Sequence, residues 1–232
     1  MNRSAEWKEV IMNQNIRLVD VSKLYGTSGG GFPALKHVNL TIPKGEICAI
    51  VGASGAGKTT LLNVMSCLTD VTEGEIYFDD TDITKMNGKE ASDYRLHNIG
   101  FVFQKYQLMP TLNIHDNICL PYVLAKESVD EAYVTQLVQN LGIESELEKM
   151  PDQLSGGQQQ RVAIARALAL KPSVIFADEP TGNLDSQNGF KTMDLLISCA
   201  KELGHTLVFV THNETLAAMA DRKIEIVDGK IA

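Results

Sequence analysis

Hydrophobic positions along this chain change their period several times, and each change marks a different kind of element. From Ile16 to Val51 the apolar residues recur at strand spacing through Leu35, Val38, Leu40 and Ile42, and Pro43-Lys44-Gly45 supplies a turn. Ile47-Cys48-Ala49-Ile50-Val51 then runs apolar without a break, the pattern of a strand buried on both faces. A glycine-rich loop follows, and after it a stretch with helical character from Thr59 to Cys67. Ile76 to Phe78 and Ile99 to Phe103 read as further short strands. From about 105 to 169 the pattern is helical: Pro110, Pro121 and Pro151 punctuate segments such as Val134, Leu137, Val138 and Leu141. Val174-Ile175-Phe176-Ala177 and Leu207-Val208-Phe209-Val210 predict two more buried strands, joined by a helix from about Gln187 to Leu203. Strands alternating with helices predict an α/β domain, with a helical lobe at about 105–169 inserted into it. That domain is expected over 16–232, behind an N-terminal extension of residues 1–15.

Bulk properties narrow the classes. At 232 residues the chain can bury one sizeable core, and 44% hydrophobic with 22% charged residues is an ordinary globular composition. A formal net charge of −8 argues against a generic nucleic-acid surface, which needs clustered Lys and Arg. Cys48, Cys67, Cys119 and Cys199 show no C-x-x-C pairing and sit among apolar neighbours, so they read as buried thiols of a reducing compartment. Met1 to Asn15 is polar and charged, unlike a secretory leader, and no run approaches the ~18 apolar residues of a membrane helix. Work at a membrane is therefore expected to go through a partner. Gly29-Gly30-Gly31 suggests a flexible hairpin tip.

Chemistry concentrates in three places. Gly52-Ala53-Ser54-Gly55-Ala56-Gly57-Lys58-Thr59 fits G-x-x-x-x-G-K-[ST], placed between a buried strand and a helix as a Walker A loop requires. Its glycines let backbone N–H groups converge on phosphate oxygens, and the helix N-terminus adds partial positive charge. Lys58 is expected at the β- and γ-phosphates, Thr59 at Mg²⁺ and Thr60 at the α-phosphate. Asp178-Glu179 ends a buried strand, where two carboxylates are costly unless they serve a cation or a reaction. Asp178 fits a Walker B ligand of Mg²⁺, and Glu179 a general base for water. Leu154-Ser155-Gly156-Gly157-Gln158 opens a helix running to about Leu170, with Ser155 as N-cap and free N–H groups behind it. By itself that segment is equally a capped helix after a flexible loop.

In this order the motifs resemble those of the nucleotide-binding subunits of ATP-binding-cassette (ABC) transporters, from about Ile16 to the C-terminus. Leu154 to Gln158 is similar to that family's signature motif, which the Walker loop alone would not imply. The resemblance implies a P-loop NTPase cassette with a RecA-like core sheet, an antiparallel β subdomain and an inserted α-helical subdomain. It also implies that Tyr25 stacks on adenine, where the residues alone leave a core aromatic equally open. Gln104 takes the Q-loop place near Mg²⁺ and the attacking water, Asn183-Leu184-Asp185 the D-loop, and His212 the switch position at the γ-phosphate. No usual catalytic position is substituted, so an active ATPase is expected, with ATP and Mg²⁺ as ligands.

In the family two such subunits face head to tail, and Ser155, Gly156, Gly157 and Gln158 would cap the ATP on the partner's Gly52, Ser54, Gly55, Ala56, Gly57 and Lys58 loop. A membrane-spanning permease is the other implied partner, with the chain at the cytoplasmic face of the membrane. Its cytoplasmic helix is expected to dock near Lys105-Tyr106-Gln107-Leu108-Met109-Pro110. Glu179-Pro180-Thr181-Gly182-Asn183-Leu184-Asp185, Asn63 and Gln158-Gln159-Gln160-Arg161 are similar to the lipoprotein-releasing, macrolide- and peptide-exporting and cell-division ATPases. Transport, force transmission without transport, and soluble action on ribosomes or DNA remain separate readings, although one uninterrupted acidic cassette disfavours the last. A generic P-loop kinase would leave the signature segment without a role.

Overall fold

The computed structural model describes residues 14–26 and 31–232; the N-terminal extension, apart from its last two residues, and the Gly29-Gly30 part of the hairpin tip lie outside them. Two sheets carry the chain. β1 (Gln14–Tyr25), β2 (Phe32–Pro43), β4 (Glu73–Phe78) and β5 (Thr81–Asp82) form an antiparallel sheet in the order β2-β1-β4-β5. The second sheet contains β3 (Ile47–Val51), β6 (Ile99–Val102), β7 (Val174–Asp178), β8 (Thr206–Val210), β9 (Arg222–Val227) and β10 (Lys230–Ile231). Its order is β10-β9-β3-β8-β7-β6, parallel except for the β10 edge.

The apolar runs are strands because both of their faces are covered. Along β8, Leu207 and Phe209 join one core while Val208 and Val210 join the other. Ile47 and Ala49 alternate with Cys48 and Ile50 in the same way on β3. One core lies between this sheet, the antiparallel sheet and α1 (Lys58–Met65). The other lies under α3 (Ile114–Ala125), α4 (Glu131–Leu141), α5 (Gly156–Leu168) and α6 (Ser186–Leu203). α3 to α5 fall between β6 and β7 in the chain.

The structure departs from the sequence expectation in several places, of which three have a clear physical cause. α2 (Gly88–Asn98) was not foreseen because it buries none of its residues, so it has no apolar stripe to read. It is held instead by an Asn87–Glu90 capping box and by Arg95 donating to the Cys67 carbonyl at 2.6 Å. β9 was missed because only Ile224 and Ile226 face inward between charged residues. Pro121 does not divide two segments; it lies within α3, where burial of Ile118, Cys119 and Tyr122 outweighs one missing ladder bond. Cys48, Cys119 and Cys199 are buried free thiols and Cys67 is half-buried. Burial pushes Cys48 up to about 12 and Cys67 to about 11, so both stay protonated.

Parallel order has one consequence for chemistry. β3, β8, β7 and β6 are neighbours and point the same way, so the loops leaving their carboxyl ends gather along one edge.

Candidate functional site

The loop after β3 is shaped by close approaches that exclude side chains. Gly52 has φ +149°, and a Cβ built on it would lie 2.3 Å from the Ile226 carbonyl oxygen. Gly57 has φ +110°, and its Cβ would lie 2.6 Å from the Ala34 oxygen. Hydrogen bonds then tether the loop to its surroundings. Gly229 N–H donates to the Ala56 oxygen at 2.9 Å, and Lys36 N–H to the Gly229 oxygen at 2.8 Å. Lys58 is buried at the head of α1, with Nζ donating to the Gly52 and Ala53 carbonyls at 2.9 and 2.8 Å.

A cavity of about 300 Å³ opens above this loop, lined by Ser54, Gly55, Gly57, Lys58, Thr59 and Thr60. Tyr25 forms its rim together with Phe32, Ala34 and Glu179. Phe32, 64% exposed and paired with Tyr25 across β1 and β2, is a site residue that the sequence reading missed. Its signal was available: an apolar ring at a hairpin edge, where nothing in the core needs it. Two aromatic rings flanking an open cavity can hold a flat heterocycle between or against them.

Thr59 Oγ1 donates to Asp178 Oδ1 at 3.2 Å, which joins α1 to the end of β7. Burial raises the Asp178 pKa, with the neighbouring Glu179 charge adding to it and the Thr59 hydrogen bond and Lys58 opposing it. Hydroxyl and carboxylate oxygens side by side, with a desolvated carboxylate short of cationic partners, fit a hard divalent ion such as Mg²⁺.

Glu179 has φ +44° and stands next in the chain, with its N–H donating to the Val210 oxygen at 3.2 Å. His212, leaving the adjacent β8, has Nδ1 3.4 Å from Glu179 Oε1. Together they border a second cavity of about 430 Å³ with Asp185, Leu184 and Phe190. Asp185 is the N-cap of α6, accepting from Asn188 N–H at 3.0 Å and from Asn188 Nδ2 at 2.7 Å, and these bonds lower its pKa. Gln104, leaving β6, reaches the same region: Asn183 Nδ2 donates to its carbonyl at 2.7 Å, and a Cβ on Gly182 would lie 2.5 Å from its Nε2. Asn183 thus joins the loops after β6 and β7.

Ser155, Gly156, Gly157 and Gln158 border neither cavity. They form the first turn of α5, where Ser155 and Gln158 make a capping box. Gly156 packs beneath Tyr106 and Leu184; a Cβ there would lie 2.7 Å from the Tyr106 hydroxyl. The Lys105–Gln107 turn on which Tyr106 stands has φ +40° at Tyr106 and +55° at Gln107. Arg166, near the other end of α5, donates to the Gln107 and Tyr106 carbonyls at 2.7 and 2.8 Å. Beside it runs a mostly apolar groove of about 710 Å³ between α2, β6 and α3, in which Phe101, Phe103, Met109, Leu120 and Leu124 are prominent. Leu124 and the adjacent Val123 are 61% and 66% exposed. Among the described residues no helix is long and apolar enough to cross a membrane.

Comparison with known proteins places this geometry. The profile of the ABC transporter family matches residues 35–182. The chain is 40% identical to the lipoprotein-releasing system ATP-binding protein LolD of Geobacter metallireducens, over 95% of this chain and 99% of that one. It is 44% identical to the macrolide export ATP-binding/permease protein MacB of Campylobacter fetus over 93% of its own length, but spans only 34% of that larger relative. Among solved structures it matches the ATP-binding cassette MJ0796, described as a dimeric post-hydrolysis state bound to ADP and Pi. The TM-score is 0.84 and the identity 40%, with 93% of this chain and 96% of that one covered. Fold, strand-end motifs and relatives agree, and the chain belongs to the ABC transporter family as one of its ATP-hydrolysing cassettes.

Proposed function

We propose that two copies of this cassette close head to tail on two ATP molecules, and that closing and reopening drive a membrane-spanning permease. The observation that carries this reading is the separation of the two phosphate-reading elements: the Ser155-Gly156-Gly157 turn lies outside the cavity over the Gly52–Thr60 loop. A helix N-terminus with spare N–H groups and no phosphate of its own suits a nucleotide held by another copy. The dimeric description of the MJ0796 cassette supports the same reading.

Within one site, Lys58 exchanges its two carbonyl partners for β- and γ-phosphate oxygens, while Gly52, Ser54, Gly55, Ala56 and Gly57 supply the backbone cradle. Thr60 meets the α-phosphate and Tyr25 the adenine. Thr59, Asp178 and Gln104 would hold Mg²⁺, which when bound neutralises charge on the β- and γ-oxygens. Glu179 takes a proton from the water that attacks the γ-phosphorus. The bond to the bridging oxygen breaks, and ADP leaves with its electron pair. His212 donates to the γ-phosphate, and Asp185 shapes the loop that faces the partner copy. Phosphate loss removes the ligand that bridges the copies, so the pair reopens.

The groove beside Arg166 fits a helix of the permease, because Val123, Leu124 and Met109 present apolar surface beside the loop that carries Gln104. The cargo proposed is a lipoprotein, a peptide or a drug-like molecule, extracted or exported by a complex that this chain serves at the cytoplasmic face; the names of the lipoprotein-releasing LolD and macrolide-export MacB relatives support its lipoprotein and drug-like forms. Glu179→Gln tests the core of this reading. It should slow turnover by ~10²–10⁴ while ATP still binds, and an ATP-dependent dimer should accumulate on size-exclusion chromatography. A variant that stays monomeric at saturating ATP would overturn the head-to-tail arrangement.

A further inference from the structure

The signature turn holds its shape through its own capping box and through one side chain of the turn that precedes it. Gln158 Oε1 accepts from both Ser155 N–H and Ser155 Oγ–H, each at 2.9 Å. An amide side chain has two similar ends, and the capping box forms only when the oxygen end faces Ser155. Ser155 N–H favours the oxygen end on the near side, and a second group fixes the choice on the far side. Gln158 Nε2 donates to Glu146 Oε1 at 3.0 Å, and a carboxylate only accepts, so it can face only the NH₂ end.

Glu146 is itself firmly placed. Its side chain is 8% exposed, Lys149 Nζ donates to Oε2 at 2.5 Å, and Ser145 Oγ donates to Oε1 at 3.0 Å. These bonds, Lys149 foremost, hold its carboxyl below the usual range, so it is an acceptor throughout the neutral pH range. The residue belongs to the 3₁₀ turn Glu144–Glu146, outside every motif named so far.

We propose that Glu146 is a positioning residue for the signature serine: by fixing the Gln158 amide it sets Ser155 and the first turn of α5 in the geometry that caps the facing copy's ATP. The inference rests on the reading of Ser155 given under Proposed function. A flipped amide would present its NH₂ to the Ser155 N–H, donor against donor, and the turn carrying Gly156 and Gly157 would lose its anchor. Own-chain nucleotide binding would not feel the change, because neither Glu146 nor Gln158 borders the Walker cavity.

Three variants test this in the full-length chain: Glu146→Gln, Gln158→Glu and the exchange of both residues. Glu146→Gln replaces the acceptor-only group by one that can also donate, leaves Ser155 N–H alone to orient the amide, and should lower kcat about tenfold, the scale of one lost cap. The affinity of the isolated chain for a fluorescent ATP analogue should stay unchanged. Gln158→Glu sets two carboxylates face to face and should be the weakest. The exchange places the acceptor-only group at 158 and the amide donor at 146, at unchanged net charge, and should recover kcat to within about threefold of wild type. A Glu146→Gln protein with wild-type kcat, or an exchanged pair that folds but recovers nothing, would overturn the proposal.

A second measurement separates its failure from that of the underlying reading. Glu179→Gln and Glu179→Gln/Glu146→Gln are compared by light scattering with ATP. If Glu179→Gln alone stays monomeric, the facing-copy reading falls. If it dimerises and the double variant dimerises equally well, only the role of Glu146 falls. Weaker dimerisation of the double variant supports both.

Discussion

Arg166→Lys is expected to loosen the turn that carries the Gln104 loop without unfolding the protein, and the size of the effect follows from two competing quantities. Tyr106 and Gln107 sit in left-handed backbone conformations at φ +40° and +55°, and such residues cost roughly 1–2 kcal/mol each. Against this, the Arg166 guanidinium makes two hydrogen bonds to their carbonyls, at 2.8 and 2.7 Å, worth roughly 1.5–3 kcal/mol apiece. The pair of bonds, about 3–6 kcal/mol, exceeds the strain of about 2–4 kcal/mol by a modest surplus. Lysine keeps the charge but, as a point ammonium, cannot span both carbonyls in a fixed fork. One bond no longer covers the strain, so the turn relaxes and the net loss is capped near the surplus of about 1–2 kcal/mol. For a chain of this length that is a Tm decrease of roughly 2–8 °C. Local opening should be larger than global loss: tryptic cleavage after Lys105 should accelerate several-fold under native conditions. If the rate at Lys105 and the Tm both match wild type, Arg166 does not hold this turn and the reasoning is refuted.

Two further outcomes are expected. Gly52→Ala combines a positive φ with a Cβ 2.3 Å from the Ile226 oxygen, whereas Gly55→Ala has only φ +77° and open space, so the first should lose roughly 2–5 kcal/mol and the second about 1–2. Denaturant titrations that reverse this order would refute the assignment of clash over strain. His205 is buried, its Nε2 has no hydrogen-bond partner, and burial lowers its pKa below 6.5. The unfolded chain therefore binds a proton that the folded chain resists, so this contribution is intact above pH 6.5 and is lost as the pH falls below it. The slope for one group is at most about 1.4 kcal/mol per pH unit. Thermal melts from pH 7.5 to 5 should show it, and His205→Asn should flatten the profile; an equally steep variant would place the proton elsewhere.

How much of this was legible beforehand depends on whether a residue's task is local. The Gly52–Thr59 loop and Asp178 could be read because phosphate and cation binding demand particular residue types at fixed spacing. β3, β7 and β8 could be read because a strand covered on both faces leaves no polar position in its interior. α2 could not, since a helix with no buried residue has no periodicity to betray it. Arg166 and Glu146 were passed over for another reason, and Asn183 was read only as part of the D-loop, without its bond to the Gln104 carbonyl. Each acts across the fold: Arg166 lies 59 and 60 residues from the carbonyls it holds, Asn183 79 from Gln104, and Glu146 12 from Gln158. Their types are ordinary for surface helices and loops, so only the tertiary structure gives them meaning. Asn117 is of the same kind, fully buried and bonded to Met109 in both directions, at 2.7 and 3.0 Å.

These long-range residues share a mechanical logic. The strand order β3-β8-β7-β6 gathers the Walker loop, His212, Asp178-Glu179 and Gln104 along one edge. The first turn of α5 is instead placed by side chains outside the sheet: Glu146 through Gln158, and Tyr106 and Leu184 against Gly156. α5 has 13 residues and is therefore a rod of about 20 Å, with the Ser155 cap at one end and Arg166 near the other. Arg166 also lines the apolar groove and grips the turn beside Gln104. The groove therefore meets both parts: Phe101 and Phe103 lie on or beside the strand that leads to Gln104, while Arg166 belongs to the helix that carries the Ser155 cap.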